Sequence, residues 1–536
     1  MRPPSAEQLT TAWSPSLFPA DLHAGRLRLL ARLSARIGPD GALRAPCRSR
    51  VTESALTLAL LDRSKHAHHS AGARLRHYLE RHRGCADPWD AAVAETALHR
   101  HEGHGADNRA LEEFIVRAPD FTGPRKRALA QAVFTMLGAE GAYVDPGADA
   151  FDVTALHPWA TVQVTAVKVI LARAAGRCEP PSADDLALLL STQCPGTVWE
   201  GNLLIHLSVL HALAALPGQA TVVTEGINTA LMHQRGDGGL PFVSDTDTWC
   251  AITAGLAMHA AGAPERTVRH VADHLVRIQQ SEGGWSYSEN AQLPDTDCTT
   301  VATEFLHQLD ARAYRTSVER GLNALIAVRG ADGGFPTYGA GTPSEACMTA
   351  AAVNALSTQG LRYRDLIRSS LHFLADRQRA DGTFPPGWSS SRLHTLFRAH
   401  LAAQYQSSPR VRAMNRRIVK LVHSSQNDDG GWGQQAGAPS DAISTAYALI
   451  VLARLPDPGP AARATRYLLD QQRPDGSIVS VPDMLGPRPF PYRIPVLADI
   501  FALLALGHLT RRIGPLPTIA ANRRHGTALL VERTAT

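Results

Sequence analysis

A pattern that recurs six times in the C-terminal half of the chain constrains the fold more than any other feature. Its clearest copy is Gln279-x-x-x-Gly283-x-Trp285, and successive copies start 45 to 50 residues apart. The starting positions are Gln234, Gln279, Arg329, Gln378, Gln426 and Gln472. Repetition at a fixed period of about 20 to 50 residues is typical of architectures that stack one structural unit many times.

Each unit combines two helices of different character. An amphipathic stretch such as 268–277 precedes an Asp-Gly or Gly-Gly turn, and an Ala-rich apolar stretch such as 349–356 follows it. A helix that is apolar all round is buried, whereas a one-sided helix covers it. The repeats therefore predict six inner and six outer helices, which form an (α/α)6 barrel over residues 221–515.

The rest of the chain is also helical in pattern, so we expect an all-α protein with two (α/α) barrels. In residues 21–220 the repeat is eroded, and the segments 136–143 and 198–204 resemble worn copies of its turn. We interpret this region as a second, degenerate α-barrel. Residues 1–20 are expected to pack on the C-terminal barrel, and residues 516–536 form a tail without the pattern.

The composition argues against several classes of function. The 536 residues carry 54 basic and 49 acidic side chains without a Lys/Arg block, so we expect no nucleic-acid partner. Seven cysteines without a Cys-x-x-Cys pair argue against disulfides or a zinc cluster and favour a cytoplasmic location. The chain starts without an apolar signal segment, and no apolar run reaches the roughly 18 residues of a spanning helix. We therefore expect no stable membrane insertion.

One string after the second repeat carries the chemistry: Asp295-Thr296-Asp297-Cys298-Thr299-Thr300. Burial and a like charge two residues away can hold a carboxyl group neutral, and a neutral acid can protonate a carbon–carbon double bond. An Asp-x-Asp string alone is more often a helix cap. The string Asp245-Thr246-Asp247, one repeat earlier, is interpreted in that way.

The repeats and the Asp string together resemble those of squalene–hopene cyclases, oxidosqualene cyclases and bacterial class II diterpene cyclases. In that superfamily the string is Asp-x-Asp-Asp-Thr, and the resemblance implies that Asp297 is the proton donor. Asp295, Cys298, Thr299 and Thr300 complete the implied catalytic group. Cys298 replaces the last Asp of the family pattern, a departure that oxidosqualene cyclases share in their own Asp-Cys-Thr string.

Within the superfamily, a two-barrel chain of this size is similar to the bacterial class II cyclases that act on prenyl diphosphates. The chain has no Asp-Asp-x-x-Asp string of the kind that ionises a diphosphate. The resemblance therefore implies cyclisation of farnesyl or geranylgeranyl diphosphate to a bicyclic drimane- or labdane-type diphosphate, with the diphosphate retained. Substrate chain length, product stereochemistry and oligomeric state stay open, and a homodimer is compatible with the sequence.

The cyclisation would need a cavity that stabilises a carbocation and a site that binds diphosphate. Aromatic faces supply the first, and the candidates that follow turns are Trp249, Tyr287, Tyr338, Phe384, Trp388 and Tyr492. Arg392 and His394 are further substrate-binding candidates, for the diphosphate and for final proton removal. Glu53 is the candidate ligand for Mg²⁺. The segment His157-Pro158-Trp159 is interpreted as packing.

Three alternatives remain open on the residues alone. The chain could be a squalene or other triterpene-type cyclase. It could be a prenyltransferase-like barrel, with zinc held by Asp297, Cys298 and His394. A repeat scaffold, or a glycosidase that uses Asp297 with Glu345 or Asp441, is the third.

Overall fold

The computed structural model describes residues 12–64, 69–99, 113, 123–139, 145–177, 179–406 and 408–513. The described elements are almost all α-helices, which confirms the predicted all-α class. The helices are α1 (Leu22–Ser34), α2 (Val51–Ser64), α3 (His69–Glu80), α4 (Pro88–Leu98), α5 (Gly123–Leu137), α6 (Pro158–Ala174), α7 (Ala183–Ser191), α8 (Leu203–Ala214), α9 (Ala220–Leu231), α10 (Asp247–Ala260), α11 (Glu265–Arg277), α12 (Thr296–Asp310), α13 (Arg315–Val328), α14 (Ala346–Ser357), α15 (Arg364–Arg377), α16 (Leu393–Ala402), α17 (Pro409–Ser424), α18 (Ala442–Leu452), α19 (Gly459–Asp470) and α20 (Leu497–Ile513).

The second barrel is built around a closed ring of six inner helices. Helices α10, α12, α14, α16, α18 and α20 each contact the next, and α20 packs back on α10. The sequences of α14 and α18 explain their position, because they are apolar on nearly every face, and all residues of α18 are buried. Helices α11, α13, α15, α17 and α19 are one-sided and cover the ring from outside.

The sixth outer helix comes from the other end of the chain. Helix α1 packs on α19 and α20, where Gly25 lies close to the side chain of Leu469. Before it, the Trp13 indole donates to the carbonyl of Pro456 (3.2 Å). The boundary expected at residue 21 placed α1 in the first barrel, and the boundary expected at residue 221 placed α9 in the second. The contacts of both helices reverse these assignments. No described helix follows α20 to cover it, so α1 fills the gap, while α9 packs on α2 and α8.

The first barrel is smaller and less regular. Among its described helices, α2, α4, α5, α6 and α8 contact one another in a circle, and α3, α7 and α9 lie outside it. Residues 1–11 and the expected tail 516–536 lie outside the described part of the chain. Among the described helices, none combines the length and apolar character needed to cross a bilayer.

The repeated turns are structural. The Gln279 side-chain amide donates to the carbonyls of Gly283 (2.7 Å) and Ser317 (3.0 Å), which ties one helix end to the next outer helix. The Trp285 indole is fully buried and donates to the carbonyl of Leu275 (2.8 Å). Gly283 has φ +94°, a conformation that favours glycine, and a Cβ there would strike the next outer helix.

Two short pairs of strands lie where the barrels meet. Strand β1 (Ser49–Arg50) of the first barrel pairs antiparallel with β2 (Leu240–Pro241) of the second. Strands β3 (Met484–Leu485) and β4 (Pro491–Tyr492) form a hairpin before the last inner helix. We call residues 484–492 the inserted hairpin, because its two sides face different cavities between the barrels.

Candidate active site

A cavity of about 500 Å³ lies between the two barrels, and the Asp string opens onto it. Asp295, Asp297 and Cys298 line its wall on the side of the second barrel. The first barrel contributes Trp159 and Gln163 from α6. Most of the lining is apolar or aromatic, so charge inside this cavity is poorly solvated by water.

Asp295 caps the inner helix α12. Its Oδ1 accepts a hydrogen bond from the amide of Cys298 (2.6 Å), and its own amide donates to the carbonyl of Trp285 (3.0 Å). Burial raises the pKa of Asp295 to about 7, the Cys298 amide works against that rise, and the nearby charge of Asp297 adds to it. Asp295 is thus both a cap and an acid that titrates near neutrality.

Asp297 lies in the first turn of α12 and is paired with one arginine. The Nη1 atom of Arg398, from inner helix α16, lies 2.6 Å from Asp297 Oδ1. Burial raises the pKa of Asp297, Arg398 works against this, and the charge of Glu345 adds to it. A carboxyl group with these neighbours can exist in its neutral form inside an apolar cavity, as a proton donor requires.

Thr299 and Thr300 hold the local structure rather than line the cavity. The Thr299 hydroxyl accepts from the amide of Trp285 (3.1 Å), and the Thr300 hydroxyl donates to the carbonyl of Asp297 (2.9 Å). Cys298 does line the cavity, and burial raises the pKa of its thiol. The departure from the family string therefore places a neutral thiol beside the acid.

Most of the expected aromatic residues form the cavity wall. Trp249, Tyr287, Tyr338, Trp388 and Tyr492 all line it. The rings of Tyr338 and Trp388 meet edge to face at 5.9 Å. A polar chain holds Trp388 in place, since its indole donates to Thr337 (2.8 Å) and the Thr337 hydroxyl donates to Glu345 (2.6 Å).

The sequence interpretation missed the aromatic residues of the first barrel. Trp159 was interpreted as packing, but it lines the cavity and its ring lies 4.9 Å from Tyr338 and 5.6 Å from Tyr287. His157 also lines the cavity, and burial lowers its pKa to about 4. The available signal was Pro158, which marks the start of helix α6 and so places Trp159 in its first turn.

Three expected substrate residues lie elsewhere. Phe384 and Arg392 line a second cavity of about 840 Å³. The inserted hairpin separates this cavity from the first, and Leu485 lines both. His394 is buried against Phe397, and burial, with Arg398, holds its pKa well below the usual range. His394 therefore does not face the cavity, and the described residues include no cluster of three metal-ligating side chains for the zinc alternative.

Glu53 does not suit the expected magnesium role. Its side chain is fully buried, and both carboxylate oxygens contact the Arg50 guanidinium, Oε2 at 2.8 Å from Nε. Arg50 also donates to the carbonyl of Gly486 (2.6 Å) in the inserted hairpin. Because the ion pair uses both oxygens, Glu53 holds the barrel junction together. The carboxyl groups on the described wall of the first cavity are those of Asp295 and Asp297.

Two arginines also line the first cavity. Arg488, on the inserted hairpin, donates to Glu345 (2.8 Å), and its guanidinium lies 4.5 Å from the centre of the Trp388 ring. Arg125 comes from the first barrel, and its Nε atom is buried without a hydrogen-bond partner. Guanidinium groups at the edge of an apolar cavity are suited to binding an anion.

Two barrels around an aromatic cavity, with a buried aspartic acid in its wall, are the arrangement expected of a cyclase that starts its reaction by protonation. Comparisons with known proteins agree. Residues 341–511 match the squalene-hopene cyclase C-terminal domain, and residues 209–385 match the prenyltransferase alpha-alpha toroid domain. The chain is 38% identical to a drimenyl diphosphate synthase of Streptomyces showdoensis over 91% of its own length and 95% of that protein.

A drimenyl diphosphate synthase of Streptantibioticus cattleyicolor is also 38% identical, over 91% of this chain and 94% of that protein. The fold is similar to that of ent-copalyl diphosphate synthase from Streptomyces platensis, with a TM-score of 0.57, 20% identity, and coverage of 91% and 100% of the two chains. The chain belongs to the class II terpene cyclases, which confirms the membership and the enzyme class predicted from the repeats and the Asp string.

Proposed function

We propose that this cyclase converts farnesyl diphosphate to a bicyclic drimane-type diphosphate and leaves the diphosphate on the product. The observation that carries the proposal is the position of Asp297, whose buried carboxyl group opens onto a cavity walled by aromatic rings. The identity to two drimenyl diphosphate synthases supports the fifteen-carbon substrate over geranylgeranyl diphosphate. A labdane-type product from the longer substrate is the second candidate, and the same assay tests it.

The reaction needs a proton donor and a surface for the cation. Asp297 gives its proton to the terminal double bond, and the carbocation is attacked in turn by the next two double bonds to close two rings. Loss of a proton from the last cation forms a new double bond, so the overall change is an isomerisation. The faces of Trp249, Tyr338 and Trp388 stabilise the cation without reacting with it.

The diphosphate group is proposed to lie near the arginines of the cavity. Arg125 comes from the barrel opposite Asp297 and has a buried Nε free to donate. Arg488 is already paired with Glu345, so its contribution would be shared with that carboxylate. We propose that Mg²⁺ accompanies the diphosphate, because this ion is commonly held by substrate phosphates together with few protein groups. Glu53 is not included among its ligands.

A cytoplasmic location is part of the proposal, and it is supported by the unpaired state of the six described cysteines. A homodimer remains a prediction from the sequence, and gel filtration of the purified enzyme tests it.

The test is an incubation of the purified protein with farnesyl or geranylgeranyl diphosphate, followed by phosphatase treatment and gas chromatography–mass spectrometry. We expect a bicyclic drimane-type alcohol from the fifteen-carbon substrate, and its formation should fall when EDTA removes Mg²⁺. A labdane-type alcohol alone would change the substrate to geranylgeranyl diphosphate. If a folded sample forms no cyclic product from either substrate, the proposed function is wrong.

A further inference from the structure

Arg398 is a charged residue in the inner ring of an apolar barrel. It belongs to helix α16, and only 4% of its surface is exposed. One side of its guanidinium contacts Asp297, and the group also lines a cavity of about 260 Å³ inside the second barrel. Burying an unpaired cation would be costly, and the contact with Asp297, together with the charge of nearby Glu304, offsets part of that cost.

The contact distinguishes the two oxygens of Asp297. The contact is an ion pair: a guanidinium group carries a positive charge and only N–H groups, so the oxygen that faces it is disfavoured as the site of a proton. Arg398 Nη1 lies 2.6 Å from Oδ1, which leaves Oδ2 as the oxygen that carries the proton of the neutral acid. Asp297 lines the substrate cavity, so this arrangement sets which oxygen delivers the proton.

The same contact influences the strength of the acid. After proton transfer, Asp297 is a buried carboxylate, and a guanidinium at 2.6 Å stabilises that charge. Burial favours the neutral form, which keeps the proton available before the reaction. Protonation of an alkene needs both properties, because the proton must be present and must also leave readily.

We propose that Arg398 is a positioning residue for the proton transfer: it directs the proton to Oδ2 of Asp297 and stabilises the carboxylate that remains. This inference rests on the proposed function, in which Asp297 is the donor. It gives a role to an arginine that neither the repeat pattern nor the Asp string singled out.

The other titratable groups that act on Asp297 are acids or neutral, and Arg488, a cation on the wall of the same cavity, is paired with Glu345. The cap residue Asp295 and the neighbouring thiol of Cys298 come from α12, and the start of α14 and helix α18 supply the others: Glu345, Cys347 and Tyr447. His394, on the same helix as Arg398, is held neutral by burial. Among the described neighbours, Arg398 is therefore the group that lowers the pKa of Asp297.

The test removes the positive charge at position 398 in one variant and retains it on a different side chain in a second variant. In Arg398→Gln, the pKa of Asp297 rises because its cation is gone, so the loss of activity at high pH should move to higher pH. The acid is also weaker, and we expect kcat to fall by up to about tenfold for each unit of that rise, with KM little changed. Arg398→Lys keeps the charge but not the planar geometry, so it should keep the wild-type pH limit with an intermediate kcat.

Arg32→Gln is the matched control. Arg32 is partly exposed and pairs with the buried Asp499 at 2.8 Å, on α20 and away from the cavity. This variant should melt at a lower temperature but keep the wild-type pH limit. Rates are measured as product formed from farnesyl diphosphate at several pH values, with circular dichroism to establish folding.

Three results would separate failure of this inference from failure of the proposed function. If Asp297→Asn is inactive but folded Arg398→Gln keeps the wild-type kcat and pH limit, Arg398 has no positioning role. The same conclusion follows if Gln and Lys lower kcat equally with no shift of the pH limit. If instead Asp297→Asn cyclises as well as the wild type, the assignment of the donor itself is wrong.

Discussion

Two inner helices of the second barrel begin with the same Asp-x-Asp pattern, and they use it differently. At the start of α10, Asp247 Oδ1 accepts from the amide of Ala45 (2.6 Å), and Oδ2 pairs with Arg44 at 3.2 Å. At the start of α12, Asp297 faces the cavity and pairs with Arg398. The carboxyl side chains are almost equally exposed, at 13% and 12%, but the arginines differ: Arg44 is 55% exposed and Arg398 only 5%.

The comparison shows that burial of the acid does not by itself identify a proton donor. What separates the two sites is the surrounding structure. A chain segment from the first part of the molecule covers Asp247 and supplies its partners, so the carboxylate serves as a clamp. No such segment covers Asp297, whose surroundings are a cavity and a buried cation.

The largest effect should separate the two acids by activity. Asp297→Asn removes the proposed proton donor with little change in shape, so kcat should fall by at least about a hundredfold, the usual contribution of a positioned general acid. Asp247→Asn should leave kcat unchanged, because that carboxylate contacts only structural partners. Initial rates with farnesyl diphosphate decide this. If both variants fold and lose kcat equally, the proposed difference between the two acids is wrong.

The second effect is on the pH dependence. A general acid must be protonated, and the pKa of Asp297 is raised, so kcat should be highest at low pH and fall as pH rises through that raised value. Asp295, with a pKa of about 7, titrates in the same range, so the observed transition belongs to the pair. Asp295→Asn removes a like charge and should move the transition to lower pH.

The control for this pH profile is again the Asp-x-Asp pattern at the start of α10. Asp247→Asn should reproduce the wild-type curve of rate against pH. An activity that instead rises with pH would mean that the essential form of Asp297 is the carboxylate, which would contradict its role as donor.

The smallest effect is on stability. Here we expect the larger loss from the acid at the start of α10 and the smaller loss from the acid that caps α12, the opposite of the order expected for activity. Asp247→Ala loses the bond to the Ala45 amide and the contact with Arg44, so the free energy of unfolding should fall by about 1–2 kcal/mol. Asp295→Ala loses one cap bond but also removes a buried carboxyl group, so its loss should be smaller. Urea unfolding measures both, and a larger loss for Asp295→Ala would contradict this account.

Local pattern was enough to predict the helices and the acid. The repeat predicts which helix of each unit lies inside the barrel, and the buried residues of α12, α14 and α18 agree with that prediction. The Asp string and the aromatic residues that follow turns, such as Trp249 and Trp388, were placed correctly at the cavity because each is fixed by the turn beside it.

The sequence by itself therefore determined the helical class, the inner ring and the acid at the start of α12, since each depends on residues close together in the chain. The tertiary structure decided which distant segments meet. Helix α1 closes the second barrel, the inserted hairpin separates Arg392 from the cavity, and Arg398 reaches Asp297 from two inner helices away. Helical periodicity records which face of a helix is buried, but not which partner covers that face, because the partner is chosen by packing among all the helices.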